Sequence, residues 1–233
     1  MTTTEPHAAT IVETRWWWVR HAPVPDGGRI YGQGDLDCDC SERPIFEGVA
    51  AALPADAVWT TSTLKRTIQT ADAIVAASAG RHRPGPIARH AALVEQHLGH
   101  WQGLDRQTFR RERGLDAASF WFSPASERAP GGESFVDLVA RVSAAIADLT
   151  ETNAGRDIIA VTHGGTIRAA LGVALGLSPD AVHAFTIDNC ALTRLDHVRR
   201  TPRQGASTVK WRVAAVNQRP WPAAHGGGPS VHA

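Results

Sequence analysis

Apolar positions along this chain follow two alternating rhythms. Uninterrupted runs such as Trp16-Trp17-Trp18-Val19 and Ile158-Ile159-Ala160-Val161 suit strands buried on both faces of a parallel sheet. Elsewhere apolar residues return every three or four positions, as on one face of a helix. Ile45, Phe46, Val49, Ala52 and Leu53 form one such set, and Leu64, Ile68, Ala71 and Val75 a second. Phe135, Leu138, Val142, Ile146 and Leu149 form a third. The pattern predicts strands at 15–20, 57–60 and 157–161, an extended run at 90–95, and late extended runs at 191–197 and 207–216. It predicts helices at 61–78, 134–150 and 166–175, and another that Ser41 caps and Pro54 closes. Such alternation indicates an α/β fold, a three-layer sandwich with a mostly parallel central sheet flanked by helices and joined by right-handed crossovers.

One stretch breaks the rhythm. Residues 104–132 are polar and helix-prone, carry Phe109, Phe120, Trp121 and Phe122, and are interrupted by Gly114, Pro124 and Pro130. They read as part of a helical lid insertion, about 97–132, over a sheet edge. Residues 23–37, rich in Pro, Gly and Asp, read as loop. Residues 1–14 and 218–233 read as disordered tails, which leaves a single domain at 15–217.

Composition narrows the function classes. Of 233 residues 43% are hydrophobic, enough for a full core, and the net charge is +1, so no global field attracts nucleic acid or anionic lipid. No apolar run is long enough to span a membrane, and residues 1–14 lack the basic and apolar regions of a signal peptide. Cys38, Cys40 and Cys190 make no disulfide framework, and Cys38-Asp39-Cys40 alone falls short of a four-ligand metal shell. Free thiols in a cytoplasmic protein are expected.

Chemistry gathers at two strand ends. Arg20-His21 follows the first strand, and His163-Gly164-Gly165 follows the strand that starts near Asp157. In open α/β sheets this is the edge where ligands bind. An arginine beside one histidine and a glycine pair at a helix start suit a tetrahedral anion, which the backbone N–H groups can approach closely. Neutral imidazole is a competent nucleophile near pH 7. Arg66, early in its helix, offers a guanidinium fork to phosphate oxygens. Taken singly, His-Gly-Gly is also a plain strand-to-helix turn and Arg66 a solvated helix residue. Together they supply what phosphoryl transfer needs: a nucleophile and cations for the equatorial oxygens, with an acid for the leaving alkoxide still to be found.

Five motifs in order carry a resemblance. They are Val19-Arg20-His21, the stretch from Ser62 to Ala71, Leu93-Val94-Glu95 with Gly99-x-Trp101-x-Gly103, Pro130-Gly131-Gly132-Glu133-Ser134, and Val161-Thr162-His163-Gly164-Gly165-Thr166. Over roughly 15–196 the chain resembles the histidine phosphatase superfamily, with its phosphoglycerate-mutase-like fold. The resemblance implies that His21 is the nucleophile and becomes a phosphohistidine. Arg20, Arg66 and His163 would clamp the phosphoryl group, with Gly164 beside it and His163 cationic during turnover. Glu95 would be the general acid, then the base that activates water. No metal or other cofactor is implied, because the arginines and His163 supply the positive charge.

The loop after His21 departs from the family's pattern. Many members carry polar residues there; this chain has Ala22-Pro23-Val24-Pro25-Asp26, which weakens a mutase reading. Tyr31-Gly32-Gln33-Gly34-Asp35 is similar to α-ribazole phosphatases, or else a plain turn. Ser134 or Gly132 reads as a helix cap with Glu133 in the first turn, and His97 and His100 lie close to Glu95 in sequence. The expectation is a metal-independent phosphomonoesterase acting on a small phosphorylated metabolite, α-ribazole 5'-phosphate being one candidate. A phosphoglycerate mutase and an inactive phospho-ligand-binding protein are the alternatives. Oligomeric state stays open.

Overall fold

The computed structural model describes residues 9–116 and 119–222. Its central strand is β1 (Thr10–Arg20), whose successive side chains face opposite ways. Trp16 and Trp18 stack with ring centroids 4.7 Å apart on one face, while Trp17 and Val19 point to the other. β2 (Val58–Thr61), the two-residue β3 (Ala88–Arg89) and β4 (Asp157–Thr162) run parallel to it. β5 (Leu192–Thr201) and β6 (Thr208–Gln218) form an antiparallel pair on the opposite side of β1. The sheet order is β3-β2-β4-β1-β5-β6.

Five α-helices are described: α1 (Arg43–Ala52), α2 (Lys65–Ala77), α3 (Arg106–Glu112), α4 (Phe135–Thr152) and α5 (Gly164–Leu175). α1 and α2 bury Phe46, Val49, Ala71 and Ile74 against Val19, Ile159 and Val161. α4 and α5 bury Leu138, Val142, Ile167 and Leu171 against Trp16, Trp18, Ile158 and Ala160. Three layers result, as alternating strand faces require when both are apolar.

Several boundaries differ from the sequence reading. Thr10–Thr14, expected in a tail, extend β1 by pairing with β5 from Thr201 to His197. This polar stretch becomes strand because a partner ladder takes up its backbone groups. Gln218 ends β6, Arg219 pairs with Asp188, and Trp221 packs on the α1–α2 layer, so ordered chain passes the expected boundary at 217. The rest of both expected tails, 1–8 and 223–233, lies outside the described residues. The expected run at 90–95 is largely a 3-10 turn, Ala91–Leu93, and Glu42 rather than Ser41 precedes α1. α2 starts at Lys65, whose N–H donates to Asp35 Oδ1 at 2.7 Å, a cap from a distant loop that no local spacing signals. Within 97–132, a 3-10 turn at Gly99–Trp101 and the seven residues of α3 are the described helical segments. Trp101, Phe109, Trp121 and Phe122 from this stretch join the α4–α5 core, so it is anchored rather than loosely laid over the sheet.

Candidate active site

β1 and β4 pair in the register Arg20 with Thr162, so the next residues, His21 and His163, leave adjacent strands at one level. Their ring centroids stand 5.3 Å apart and both are buried. The chain at His21 is fixed from three sides. Its N–H donates to Thr162 O at 2.9 Å, its carbonyl accepts from Asn189 Nδ2 at 2.7 Å, and the following Ala22 N–H donates to Thr70 Oγ1 at 2.8 Å. His21 Nδ1 lies 2.7 Å from Ala22 O. A carbonyl only accepts, so Nδ1 carries the proton and Nε2 keeps its lone pair. Burial, then Arg66 and Arg20, push the His21 pKa well below 6.5, so the ring is neutral at pH 7.

Arg66 assigns the second tautomer. Its Nε donates to His163 Nδ1 at 3.3 Å, and a guanidinium never accepts. The His163 proton therefore sits on Nε2, which donates to Ser62 Oγ at 2.8 Å. Burial, then Arg66 and His21, hold the His163 pKa well below 6.5. Without a bound anion His163 is thus neutral, where the family resemblance implies a cation during turnover. The other two nitrogens of Arg66 donate to Gly34 O at 2.8 Å and Gly32 O at 2.7 Å, with Cζ 5.0 Å from the Tyr31 ring centroid. The Tyr31-to-Asp35 stretch is the bracket that aims Arg66 and caps its helix.

Glu95 reaches the same edge from the loop before the lid and is buried. Its Oε1 accepts from Gln96 N at 2.9 Å, and Oε2 from Gly165 N at 3.1 Å in the first turn of α5. A Cβ on Gly165 would overlap Oε1, so that position is glycine because the carboxylate fills the space. Arg141 of α4 secures the loop, donating to Ala92 O and Val94 O at 2.8 Å each and to Glu95 O at 2.9 Å. Glu133 anchors Arg141 at 2.7 Å and accepts from His97 N. Sequence reasoning missed Arg141, since a charged residue on an amphipathic helix resembles a solvated one. Ser134 caps α4 in a box with Asp137, and the His100 ring lies against Gly131.

Two arginines flank Gly164. A Cβ there would lie 3.2 Å from Arg168 Nη1 and 3.6 Å from Arg20 Nε. Arg20 Nη1 donates to Ile187 O at 2.6 Å and Arg168 Nε to Phe185 O at 2.9 Å, so one segment holds both. Arg168 was absent from the sequence expectation. The available signal is α5 itself: it is apolar on every side, so its single charged residue has to be buried. Burial lowers the Arg168 pKa to about 10. Cys38 and Cys40 are free thiols, Sγ atoms 3.6 Å apart, behind Arg66. Among the described residues no cluster of three or more His, Cys, Asp or Glu could hold a metal.

The described edge therefore joins a neutral imidazole with a free nitrogen, a second imidazole, three arginines and one carboxylate. A family model described as histidine phosphatase superfamily (branch 1) matches residues 16–208. The 2,3-bisphosphoglycerate-dependent phosphoglycerate mutase 2 of Gloeobacter violaceus is 32% identical over 189 residues, 80% of each chain. The glucosyl-3-phosphoglycerate phosphatase of Mycolicibacterium vanbaalenii is 30% identical over 218 residues, 85% of this chain and 92% of that one. The solved α-ribazole phosphatase of Shigella flexneri aligns with a TM-score of 0.66 and 21% identity over 88% of this chain and 96% of its own, a likeness of fold alone.

Proposed function

Because this chain belongs to the histidine phosphatase superfamily, we propose that it hydrolyses a small phosphomonoester through a phosphohistidine on His21. The observation that carries the reading is the His21 Nδ1–H bond to Ala22 O, which leaves Nε2 as a lone pair beside buried cations. Nε2 attacks phosphorus as the bond to the leaving oxygen breaks, and Glu95 in its acid form protonates that oxygen. Arg20 and Arg66 take the equatorial oxygens, with Gly164 beside them, and His163 joins them by taking up a proton at Nδ1, the atom that otherwise accepts from Arg66, when the dianion binds. A phosphoryl dianion is a stronger acceptor than the Gly32 and Gly34 carbonyls that Arg66 meets in its absence. The Glu95 carboxylate then takes a proton from water, which attacks phosphorus and frees His21.

Two features favour water over a second substrate as the final acceptor. The Ala22-to-Asp26 loop is poor in polar groups, and three of the four arginines at 106–113 are engaged, Arg106 with Asp26, Arg110 with the Asp116 and Ser119 carbonyls and Arg113 with Glu127, while Arg111 bonds only Thr108 Oγ1. A mutase must hold and turn a bisphosphate, which calls for free cations there. The Tyr31-to-Asp35 stretch keeps α-ribazole 5'-phosphate among the candidate substrates. No helix among the described residues is long and apolar enough to cross a membrane, and the free thiols support a cytoplasmic setting.

The test is release of inorganic phosphate, with chelator present, from p-nitrophenyl phosphate, α-ribazole 5'-phosphate, sugar phosphates and 3-phosphoglycerate. Turnover should survive chelator and drop by at least about 10³-fold in His21→Ala. Isomerisation of 3-phosphoglycerate without phosphate release would replace this reading with the mutase. Full turnover in His21→Ala would mean a different nucleophile.

A further inference from the structure

We propose that Cys38 and Cys40 form a peroxide-sensitive dithiol, which closes to a disulfide and in doing so disturbs the first turn of α2 and Arg66 with it. The chemistry at sulfur is independent of the hydrolase reading; only the loss of turnover described below rests on it.

The two sulfurs stand 3.6 Å apart, on residues separated only by Asp39. Both residues are half-buried, whereas Cys190 is buried. A disulfide needs the sulfurs to close to about 2.05 Å, a movement that two residues of one loop can share. The two are not equivalent. Cys38 Sγ lies against α2, 3.3 Å from Arg66 O, 3.5 Å from Gln69 Oε1 and 3.6 Å from Thr70 Oγ1. Cys40 borders a cavity of about 300 Å³ between α1 and α2, lined also by Arg43, Phe46 and Ala73. A hydrogen bond from Cys40 lowers the Cys38 pKa to about 7, and the same bond raises that of Cys40. Cys38 therefore supplies the thiolate, which is the nucleophilic form, and Cys40 the thiol beside it.

Hydrogen peroxide is the oxidant. The Cys38 thiolate attacks one peroxide oxygen, the O–O bond breaks, and hydroxide leaves and takes up the proton that Cys38 had released. Cys38 is then a sulfenic acid. Cys40 sulfur attacks Cys38 sulfur, the S–S bond forms as the S–O bond breaks, and water departs with the Cys40 proton. Two thiols are oxidised and one peroxide is reduced to two waters. The way back starts in the cavity, where a thiolate reductant attacks Cys40 and expels Cys38, the sulfur of lower pKa and so the better leaving group.

The dithiol supports both sides of the candidate site. A disulfide carries no S–H, so Arg66 O loses the Cys38 donor. The loop is tied to α2 by Cys38 N, which donates to Gln69 Oε1 at 3.0 Å, and to the segment after His21 by Asp39 N, which donates to Pro23 O at 2.7 Å. Thr70 Oγ1, beside Cys38, accepts from Ala22 N. Closing the sulfurs pulls on all of these, and a displacement of about 1 Å in a positioning element is costly to catalysis.

The test treats the full chain with an equivalent of hydrogen peroxide, alkylates the remaining thiols and maps the peptides by mass spectrometry. The peptide that carries Cys38 and Cys40 should lose two hydrogens and regain them with dithiothreitol, while Cys190 stays a thiol. Cys40→Ser should stop at the sulfenic acid on Cys38, which dimedone captures. In the oxidised protein amide exchange over residues 64–70 should quicken, and turnover of p-nitrophenyl phosphate should fall by at least about tenfold. Thiols that survive the peroxide, a disulfide to Cys190, or over-oxidation of Cys38 with Cys40 untouched overturns the proposal. So does a disulfide that leaves exchange and turnover as they were. If Cys40→Ser does not fold, the mapping of the unaltered protein decides. If the untreated protein turns over no phosphomonoester, the hydrolase reading fails separately, and mapping with exchange still decides the dithiol.

Discussion

Arg106 and Arg113, in the segment above the sheet edge, each meet a carboxylate at 2.5 Å, Asp26 and Glu127. Arg66 and Arg168, at the edge itself, are buried and meet none among the described residues. Arg66 spends its donors on two carbonyls and an imidazole, and Arg168 uses only Nε. The lid arginines neutralise charge within the protein and cost it little. The edge arginines keep positive charge in a low-dielectric interior, where an arriving anion gains far more than it would in water. The difference separates cations paired within the fold from buried cations such as Arg66, which the proposed function assigns to a ligand.

The sharpest way to break this contrast is at Arg66. Arg66→Met should lower kcat/KM on p-nitrophenyl phosphate by about 10²- to 10³-fold, the usual loss when one preorganised donor is removed. A loss below tenfold would put Arg66 with the structural arginines. Gly165→Ala should cost roughly 10- to 100-fold, since the new methyl displaces the Glu95 carboxylate. The loss should be larger for an alkyl phosphate than for p-nitrophenyl phosphate, because the poorer leaving group needs the proton more. Equal losses would separate Glu95 from the acid role.

A smaller effect comes with pH. His21 and His163 have folded pKa values well below 6.5, against about 6.5 when unfolded. Their stabilisation is complete above pH 6.5 and is lost as pH falls toward the folded values, because the unfolded chain binds the protons first. Each should cost about 1.4 kcal/mol per pH unit in that window. Urea unfolding at pH 7.5, 6.5 and 5.5 measures it, and a flat profile would show that the rings are not held neutral. Smallest of all, Glu127→Gln should cost less than about 1 kcal/mol and leave kcat/KM within about twofold, as for an exposed pair. A large loss of activity there would bring the lid cations into the site.

Legibility followed the range of the interaction involved. His21, His163, Arg20 and Arg66 could be read because each sits in a local pattern of strand end, glycine pair or helix start. Glu95 had no such local pattern and came only with the family resemblance; the structure brings all five to one edge. The 90–95 run was misread because apolar residues in a short stretch serve a 3-10 turn as well as a strand. Thr10–Thr14 were misread because their strand depends on a partner nearly 190 residues away in the chain. Arg141 and Arg168 were overlooked because a lone arginine in a helix carries no sign of which carbonyls or ligand it will face.

The sequence by itself determined the strand–helix order, the two apolar faces of the sheet and most of the candidate side chains at its edge. Buried parallel strands must be apolar, and their ends are where backbone and polar side chains are free to meet a ligand. Only the tertiary structure decided which nitrogen of each histidine holds the proton, that Glu95 rests on the first turn of α5, and that Arg168 is buried without a counter-ion. Those outcomes depend on which acceptors are brought within 3 Å of which donors. That is settled by the packing of segments as distant as Ser62 and His163, not by spacing along the chain.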